Sequence, residues 1–525
     1  MTRERLYIFD TTLRDGAQTQ GVDFSVEDKR QIALALDQLG VDYIEGGWPG
    51  ANPTDTAFFE KAPALTHARF TAFGMTKRAG RSAANDPALA QVLDADARAV
   101  CLVGKTSDYQ VRVALEISLE ENLDNIARSM EAIVAKGREP LFDAEHFFDG
   151  YKANPDYALS CLKAAHDAGA QWLVLCDTNG GTMPQDVYRI VSDVKAKLPG
   201  AALGIHAHND TEQAVAVSLA AVRAGVRQVQ GTLNGLGERC GNANLCALLP
   251  NLMLKEPFAS QFETGVSRES LARLTHVSRL LDETINRAPN RYAAYVGASA
   301  FTHKGGLHVS AVVKSPQTYE HVPPEAVGNR RTMPVSAQSG RANVTATGLG
   351  GKDDAGRILE DVKRREYEGY SYDDAAASFE LLALRRQKTL PRYFSVEQFS
   401  VTVESMRGRD GALASRSRAA VELMVAGEKI RSQGTGNGPV NALDAALRKD
   451  LGKYAPFITD LRLVDYKVRI LTTGTEAVTR VTVESADGKG NRWSTVGVSE
   501  NVVDASFEAL TDSIIYKLYK DGAKA

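Results

Sequence analysis

At 525 residues, with 43% hydrophobic and 24% charged side chains, the chain can fill a large core, which excludes global disorder. A prior of about 100–200 residues per domain, stretched for α/β barrels, predicts two or three domains. The net charge of −3 has both signs dispersed and offers no basic face to a phosphate backbone, which argues against a nucleic-acid partner.

The N-terminus (MTRERLYIFD) enters a strand pattern at once and leaves no room for a signal peptide. No apolar stretch reaches the ~18 residues of a membrane span. The cysteines Cys101, Cys161, Cys176, Cys240 and Cys246 form no Cys-x-x-Cys pair and fit a reducing compartment. A cytoplasmic protein without a membrane partner is expected.

The runs LYIFDTT, DYIEGGW, ARFTAFGM, AVCLVGK, EPLFDAE, QWLVLCDT, ALGIHAH and QVQGTLNG read as strands, with helix-period segments between them. The first such helix has Ser25 to cap its start, Asp28 in its first turn and Gly40 to close it. Strand-then-helix units about 30 residues apart predict an α/β fold, a (β/α)8 TIM barrel over 1–265. An open doubly wound sheet is the rival topology. Residues 266–394 read as a mainly helical linker region interrupted by GASAFTHKGG and HVPPEAVGNR.

Beyond Phe394 the runs FSVEQFSVTVE and AAVELMVAGEKIR lead into the helix NALDAALRKDL, and a second set of strands leads into a second helix. This internal duplication predicts a small α/β domain over 395–525. Gly434-Thr-Gly-Asn-Gly438 lacks the Lys-Ser/Thr of a phosphate-binding loop and reads as a strand-to-helix turn, with Pro439 at the helix start.

Chemistry collects where the strands end, as it must in a barrel whose active site forms at the C-terminal mouth. In Gly204-Ile-His-Ala-His-Asn-Asp210 the two histidines are two apart, so on a strand His206 and His208 project from one face and one cation can take both. Two unrelated histidines satisfied by hydrogen bonds are the alternative. Asp15, after the first strand, adds a carboxylate. Three ligands with open positions suit a catalytic divalent ion better than a structural zinc, which four protein ligands would close.

Asn242, after the eighth strand, offers an amide oxygen, or else caps a loop. Arg14 lies on the opposite side of an ideal strand from Asp15. It reaches the mouth if the strand ends at Arg14, and otherwise pairs at the surface. Glu145-His146 ends the fifth strand and Asp177-Thr178-Asn179 the sixth, as an acid–base and hydrogen-bonding ring or as helix caps. His308 lies outside the barrel pattern between glycines. Cys240, without a pattern for thiolate activation, reads as loop packing.

With Asp-Thr-Thr-Leu-Arg-Asp-Gly-Ala-Gln, His-Ala-His-Asn-Asp and Gly-Glu-Arg-Cys-Gly-Asn-Ala in this order, the chain resembles the DRE-TIM metallolyases over essentially its whole length. That family includes isopropylmalate, homocitrate and citramalate synthases and the HMG-CoA lyases. Within it, Tyr43-Ile-Glu-Gly-Gly-Trp-Pro-Gly50, Asp143-Ala-Glu-His-Phe-Phe-Asp-Gly-Tyr151, Cys176-Asp-Thr-Asn-Gly-Gly181 and Ala377-Ser-Phe-Glu-Leu-Leu382 resemble the longer bacterial citramalate synthases.

The resemblance implies that Asp15, His206, His208 and Asn242 surround a divalent ion (Mg, Mn or Zn). It implies that Arg14 contacts the 2-oxo acid and its developing alkoxide, and that Thr178 holds the acid's carboxylate. Glu145 and His308 are similar to the acid–base group of the isopropylmalate synthases, where the histidine comes from the other subunit of a homodimer. One departure is plain: where isopropylmalate synthases carry a strand-four histidine, this chain has Cys101-Leu-Val-Gly-Lys105.

The implied reaction joins acetyl-CoA, as co-substrate, to pyruvate and hydrolyses the thioester, on a route to isoleucine. The C-terminal domain is expected to bind isoleucine as feedback effector and to dimerise. The rivals are another acceptor, 2-oxoisovalerate or 2-oxoglutarate, and a metal-dependent lyase. The lyases of this family end soon after the barrel.

Overall fold

A computed structural model of the chain describes residues 3–349, 351–407, 413–474 and 477–525. Two compact units form. The first comprises residues 1–301 and 322–330, the second residues 302–321 and 331–525, so the chain passes between them three times.

In the first unit the strands β1 (Tyr7–Asp10), β2 (Tyr43–Gly47), β3 (Arg69–Met75), β4 (Ala99–Lys105), β5 (Glu139–Glu145), β6 (Trp172–Asp177), β7 (Leu203–Ala207) and β8 (Gln228–Gly231) close into one barrel. All neighbours run parallel, including β1 with β8. The open doubly wound sheet is thereby overturned. Closure leaves no bare edge among these strands, which an open sheet would have to protect.

The helices α1 (Val26–Leu39), α2 (Pro53–Glu60), α3 (Pro87–Asp94), α4 (Leu119–Ala135), α5 (Pro155–Asp167), α6 (Pro184–Lys197), α7 (Ala214–Ala224) and α8 (Leu245–Leu254) follow the strands in turn. Helix α1 starts in a capping box: Asp28 N–H donates to Ser25 Oγ at 3.2 Å, and Ser25 N–H donates to Asp28 Oδ2 at 2.8 Å. It ends at Gly40, whose φ of 98° is left-handed.

The strands divide their residues by alternation. Val100, Leu102, Leu173 and Leu175 face out into the layer shared with the helices, while Ala99, Cys101, Val174 and Cys176 face in beside Phe9, Tyr43 and Trp172. The apolar inner layer ends short of the C-terminal mouth. There the next inward positions are Glu45, Val103, Lys105, Asp143, Glu145 and Thr178, with His206 and His208 on β7 and just beyond it.

The barrel continues through helix α9 (Leu274–Thr284). The second unit contains helices α10 (Gly306–Lys314), α11 (Arg341–Ala346), α12 (Lys352–Tyr367) and α13 (Ala376–Gln387). Strands β9 (Phe394–Arg407), β10 (Leu413–Val425) and β11 (Glu428–Gly436) follow in one antiparallel sheet, with helix α14 (Pro439–Lys449) behind them. Strands β12 (Arg462–Ile470), β13 (Thr479–Ala486) and β14 (Arg492–Ser499) repeat the arrangement with helix α15 (Val502–Lys520).

The duplicated pattern is therefore a pair of three-stranded sheets, each followed by a helix. Gly434 lets α14 cross close to β11, because a Cβ there would lie 2.4 Å from Ala446 N. The core of this pair reaches back across the expected start at 395 to include Ala377 and Tyr393. Among the described residues no helix is long and apolar enough to cross a membrane.

Candidate active site at the mouth of the barrel

Strand β1 ends at Asp10, four residues earlier than Arg14. A tight turn follows in which the amides of Arg14, Asp15 and Gly16 all donate to the Thr11 carbonyl, at 3.2, 2.9 and 3.1 Å. This turn, rather than an extended strand, brings Arg14 and Asp15 to the same side. Both line a cavity of about 740 Å3 together with Glu145, Thr178, His206 and His208.

His206 Nε2 lies 3.1 Å from Asp15 Oδ2 and 3.4 Å from His208 Nε2, and His208 Nε2 lies 4.0 Å from Asp15 Oδ2. The three side chains form a buried group with ligand atoms within 4.8 Å of one another. His206 Nδ1 is 2.8 Å from Gln230 Oε1, an acceptor that makes Nδ1 the protonated nitrogen and turns Nε2 toward Asp15.

Burial and the charge of His206 push His208 down to about 3, so its ring stays neutral with a lone pair to offer. Burial opposes ionisation of Asp15, but the Arg14 guanidinium and the two histidines outweigh it and hold its carboxyl well below the usual range. Burial likewise works against a charged His206, and Asp15 reverses that balance and raises it.

Asp15 Oδ2 and Asn242 Oδ1 are both buried with no hydrogen-bond partner. A buried acceptor left unmade costs about 1–3 kcal/mol, and a divalent cation would satisfy both. The donor set of one carboxylate, two imidazoles and an amide oxygen fits such an ion. Asn242 does hold its own loop, donating from Nδ2 to the Leu236 carbonyl at 3.4 Å, and Oδ1 stays open; Asn244 caps α8 by accepting from Cys246 N–H at 2.9 Å. Asn242 also sits against His208 in a short antiparallel bridge. A Cβ on Gly237 would lie 2.6 Å from its amide nitrogen.

Arg14 is half-buried, its side chain 13% exposed, and the surface alternative is overturned. Its Nε donates to Glu45 Oε2 at 2.7 Å, its terminal nitrogen lies 3.6 Å from Asp15 Oδ1, and its guanidinium carbon stacks 4.0 Å from the centre of the Phe73 ring. Burial disfavours its charge, but Glu45 and Asp15 raise its affinity for the proton and keep it a cation.

Thr178 Oγ1 accepts from His146 N–H at 2.8 Å, which leaves the Thr178 hydroxyl hydrogen free to donate into the cavity. His146 has a left-handed φ of 57°, a strained conformation of the kind found beside functional sites. Glu145 does not cap the following helix: its Oε2 is 2.6 Å from Lys105 Nζ. Asp177 does hold its own loop, accepting from Thr182 N–H and Oγ1–H.

His308 belongs to the second unit, where its ring stacks on Tyr319 with centroids 4.0 Å apart. Cys240 is exposed, contrary to the packing expected of it.

Sequence patterns did not single out Glu45, Asp143, Gln230, Lys105 or Lys29. Asp143 accepts from Gln230 Nε2–H at 3.2 Å, and so stands behind the histidine pair. Lys29, on α1, is buried and donates to the Leu13 carbonyl at 2.8 Å, the Gly46 carbonyl at 2.9 Å and the Asp55 carboxylate. It ties the Arg14 turn to the end of β2. The signal for the first four was alternation, since each is a polar residue at an inward position. Lys29 had none.

The family model described as HMGL-like matches residues 5–278. A homocitrate synthase post-HMGL domain-like model matches 295–348, and the LeuA allosteric (dimerisation) domain matches 375–518. The sequence is 48% identical to the (R)-citramalate synthase of Aquifex aeolicus, covering 99% of this chain and 98% of that relative. It is 49% identical to the (R)-citramalate synthase of Geobacter sulfurreducens, covering 98% and 97%. The 2-isopropylmalate synthase of Methanocaldococcus jannaschii is 32% identical, covering 97% of this chain and 94% of its own.

Proposed function

Because this chain belongs to the HMGL-like family, in the branch of the (R)-citramalate synthases, we propose that it condenses acetyl-CoA with pyruvate and hydrolyses the thioester to give (R)-citramalate and CoA. It is an acyltransferase that turns the acyl group into alkyl on transfer. The observation that carries the reading is the Asp15–His206–His208 cluster with Arg14 beside it at the barrel mouth.

A divalent cation held by Asp15, His206, His208 and Asn242 supplies Lewis-acid polarisation of the keto carbonyl when bound. Thr178 donates its hydroxyl hydrogen to the acceptor's carboxylate. Glu145 takes a methyl proton from acetyl-CoA onto its carboxylate, and the methyl carbon bonds to the keto carbon of pyruvate. Arg14 aims N–H donors at the oxygen that gains negative charge. That oxygen ends as the hydroxyl of the product, and water then cleaves the thioester to carboxylate and thiol. His308 of a second copy of the chain is the proposed partner of Glu145 in proton transfer.

The setting is cytoplasmic and the route leads to isoleucine. The C-terminal pair of sheets is the feedback and dimerisation domain, with isoleucine as its effector. Exposed apolar side chains on β9 (Val403) and β12 (Val468, Ile470) support an apolar surface that a second copy covers in a homodimer.

Thiol release measured across 2-oxo acids tests the assignment. One buried methylene is worth about 1–3 kcal/mol, so kcat/KM for pyruvate should exceed that for 2-oxoisovalerate at least about tenfold, with modest activity on 2-oxobutyrate. A preference for 2-oxoisovalerate would reassign the enzyme to leucine synthesis.

A further inference from the structure

Lys105 and Glu145 occupy one rung of the parallel ladder between β4 and β5. Paired residues on neighbouring strands point to the same face, here the interior of the mouth. Their heads meet at 2.6 Å between Lys105 Nζ and Glu145 Oε2, with the side chains 16% and 25% exposed. Both line the main cavity and a smaller pocket of about 250 Å3 beside it. Among the described residues the Lys105 ammonium has no other ion-pair partner.

A partly exposed ion pair contributes about 0–1 kcal/mol to stability, which is small for a barrel of this size. Its effect on the carboxylate is larger. The ammonium occupies one oxygen and fixes the carboxylate plane, so that Oε1 is the atom left to accept a proton.

The other groups facing Glu145 do not supply a cation in its place. His146 Nε2 is 3.9 Å from Oε1, and burial pushes that ring down toward the neutral form despite Glu145. Asp143, two residues earlier on the same face, is pushed up by burial. Burial also pushes the Cys176 thiol well above its ordinary range.

We propose that Lys105 is a positioning residue for proton removal: its ammonium holds Glu145 Oε2 and leaves Oε1 to take the methyl proton of acetyl-CoA. The inference rests on the reading of Glu145 as the base. In the step, the methyl C–H bond breaks, the proton passes to Oε1, and the electron pair stays on the carbon as the enolate that attacks the keto carbon of pyruvate.

The test compares K105M, K105R and E145Q in the metal-loaded full chain. Two readouts are needed: the split of kcat against KM for pyruvate, and exchange of acetyl-CoA methyl protons in deuterated water with oxamate, an analogue of pyruvate that resists attack. Loss of the ammonium that fixes the carboxylate should lower both kcat and exchange in K105M at least about tenfold, with KM for pyruvate within about threefold of wild type. K105R should restore exchange, because it restores the charge.

E145Q separates the two readings. Loss of exchange in E145Q, with undiminished exchange in K105M, overturns the role of Lys105 alone. Undiminished exchange in E145Q removes Glu145 as base and the proposal with it. Exchange in K105R as slow as in K105M also overturns it, since charge would then not be the operative property.

Discussion

Arg14 keeps its charge in a place that solvent barely reaches, held between Glu45, Asp15 and the face of Phe73. Such preorganised donors act where charge develops, and losing one typically costs about 10²–10³ in turnover. R14Q should fall in that range in steady-state kcat, with the fold unchanged by circular dichroism. His206→Ala and His208→Ala should weaken metal binding, read by calorimetry on chelator-treated protein, together with turnover. Full activity of metal-free protein would remove the cation from the site. Because Asp15 raises the proton affinity of His206, protons compete there with metal, and affinity should fall as pH falls through the histidine range. Asp10 supplies a different pH dependence. Burial pushes it up to about 7 against the bonds it accepts from Thr12. The folded chain therefore holds a proton that the unfolded chain has already released, and stability falls as pH rises from about 4 to about 7. Urea unfolding should show that slope in wild type, and D10N should flatten it.

The strands were legible because both faces are covered, so each reads as a short continuous apolar run that turns polar where the inner layer stops. His206 and His208 share a face because successive side chains alternate, and the same rule places Glu45 and Asp143. Those two carry no distinctive signal of their own, because a single acidic residue inside an apolar run does not show which face it takes or what lies opposite. The turn from Thr11 to Gly16 was not legible. Its shape depends on three amides converging on one carbonyl, and nothing local in Asp-Thr-Thr-Leu-Arg-Asp demands it. Lys29 was still less so, since its acceptors at Leu13, Gly46 and Asp55 come from three separate stretches of chain. Gly47 offers a way to strain this brace. Its φ is 139°, and a Cβ there would lie 2.5 Å from the Asp55 carboxyl carbon. Gly47→Ala should lower the melting midpoint by the equivalent of about 1–3 kcal/mol. It should also lower kcat, because displaced Asp55 releases Lys29 and with it the turn that holds Arg14. A stability loss with unchanged kcat would separate the brace from catalysis.

Residues 395–525 read as duplicated strands and helices because two sheets and two helices repeat at the same spacing, but the core they share begins earlier in the chain. Ala377 and Tyr393 lie in it, and Tyr372 and Phe379 pack with Val496 of β14. Short-range pattern cannot show that a helix ahead of a domain is part of it. Isoleucine should inhibit from a site distinct from that of pyruvate, with a coupling of about 1–3 kcal/mol, or about 5–150-fold in affinity. Calorimetry on the full chain, with inhibition of turnover measured alongside, checks this. A chain ending at Asp374 should lose the response. No binding and no inhibition by isoleucine, leucine or valine would leave the domain as structure alone. The three passages of the chain between its units, after residues 301, 321 and 330, bear on how such an enzyme is inherited. No single crossover between the genes of two relatives can exchange the second unit whole without carrying residues 322–330 of the first along. Wherever the break falls beyond residue 330, the segment 302–321, with His308, descends with the barrel. Recombination can thus trade the C-terminal sheets while that histidine keeps the ancestry of the barrel.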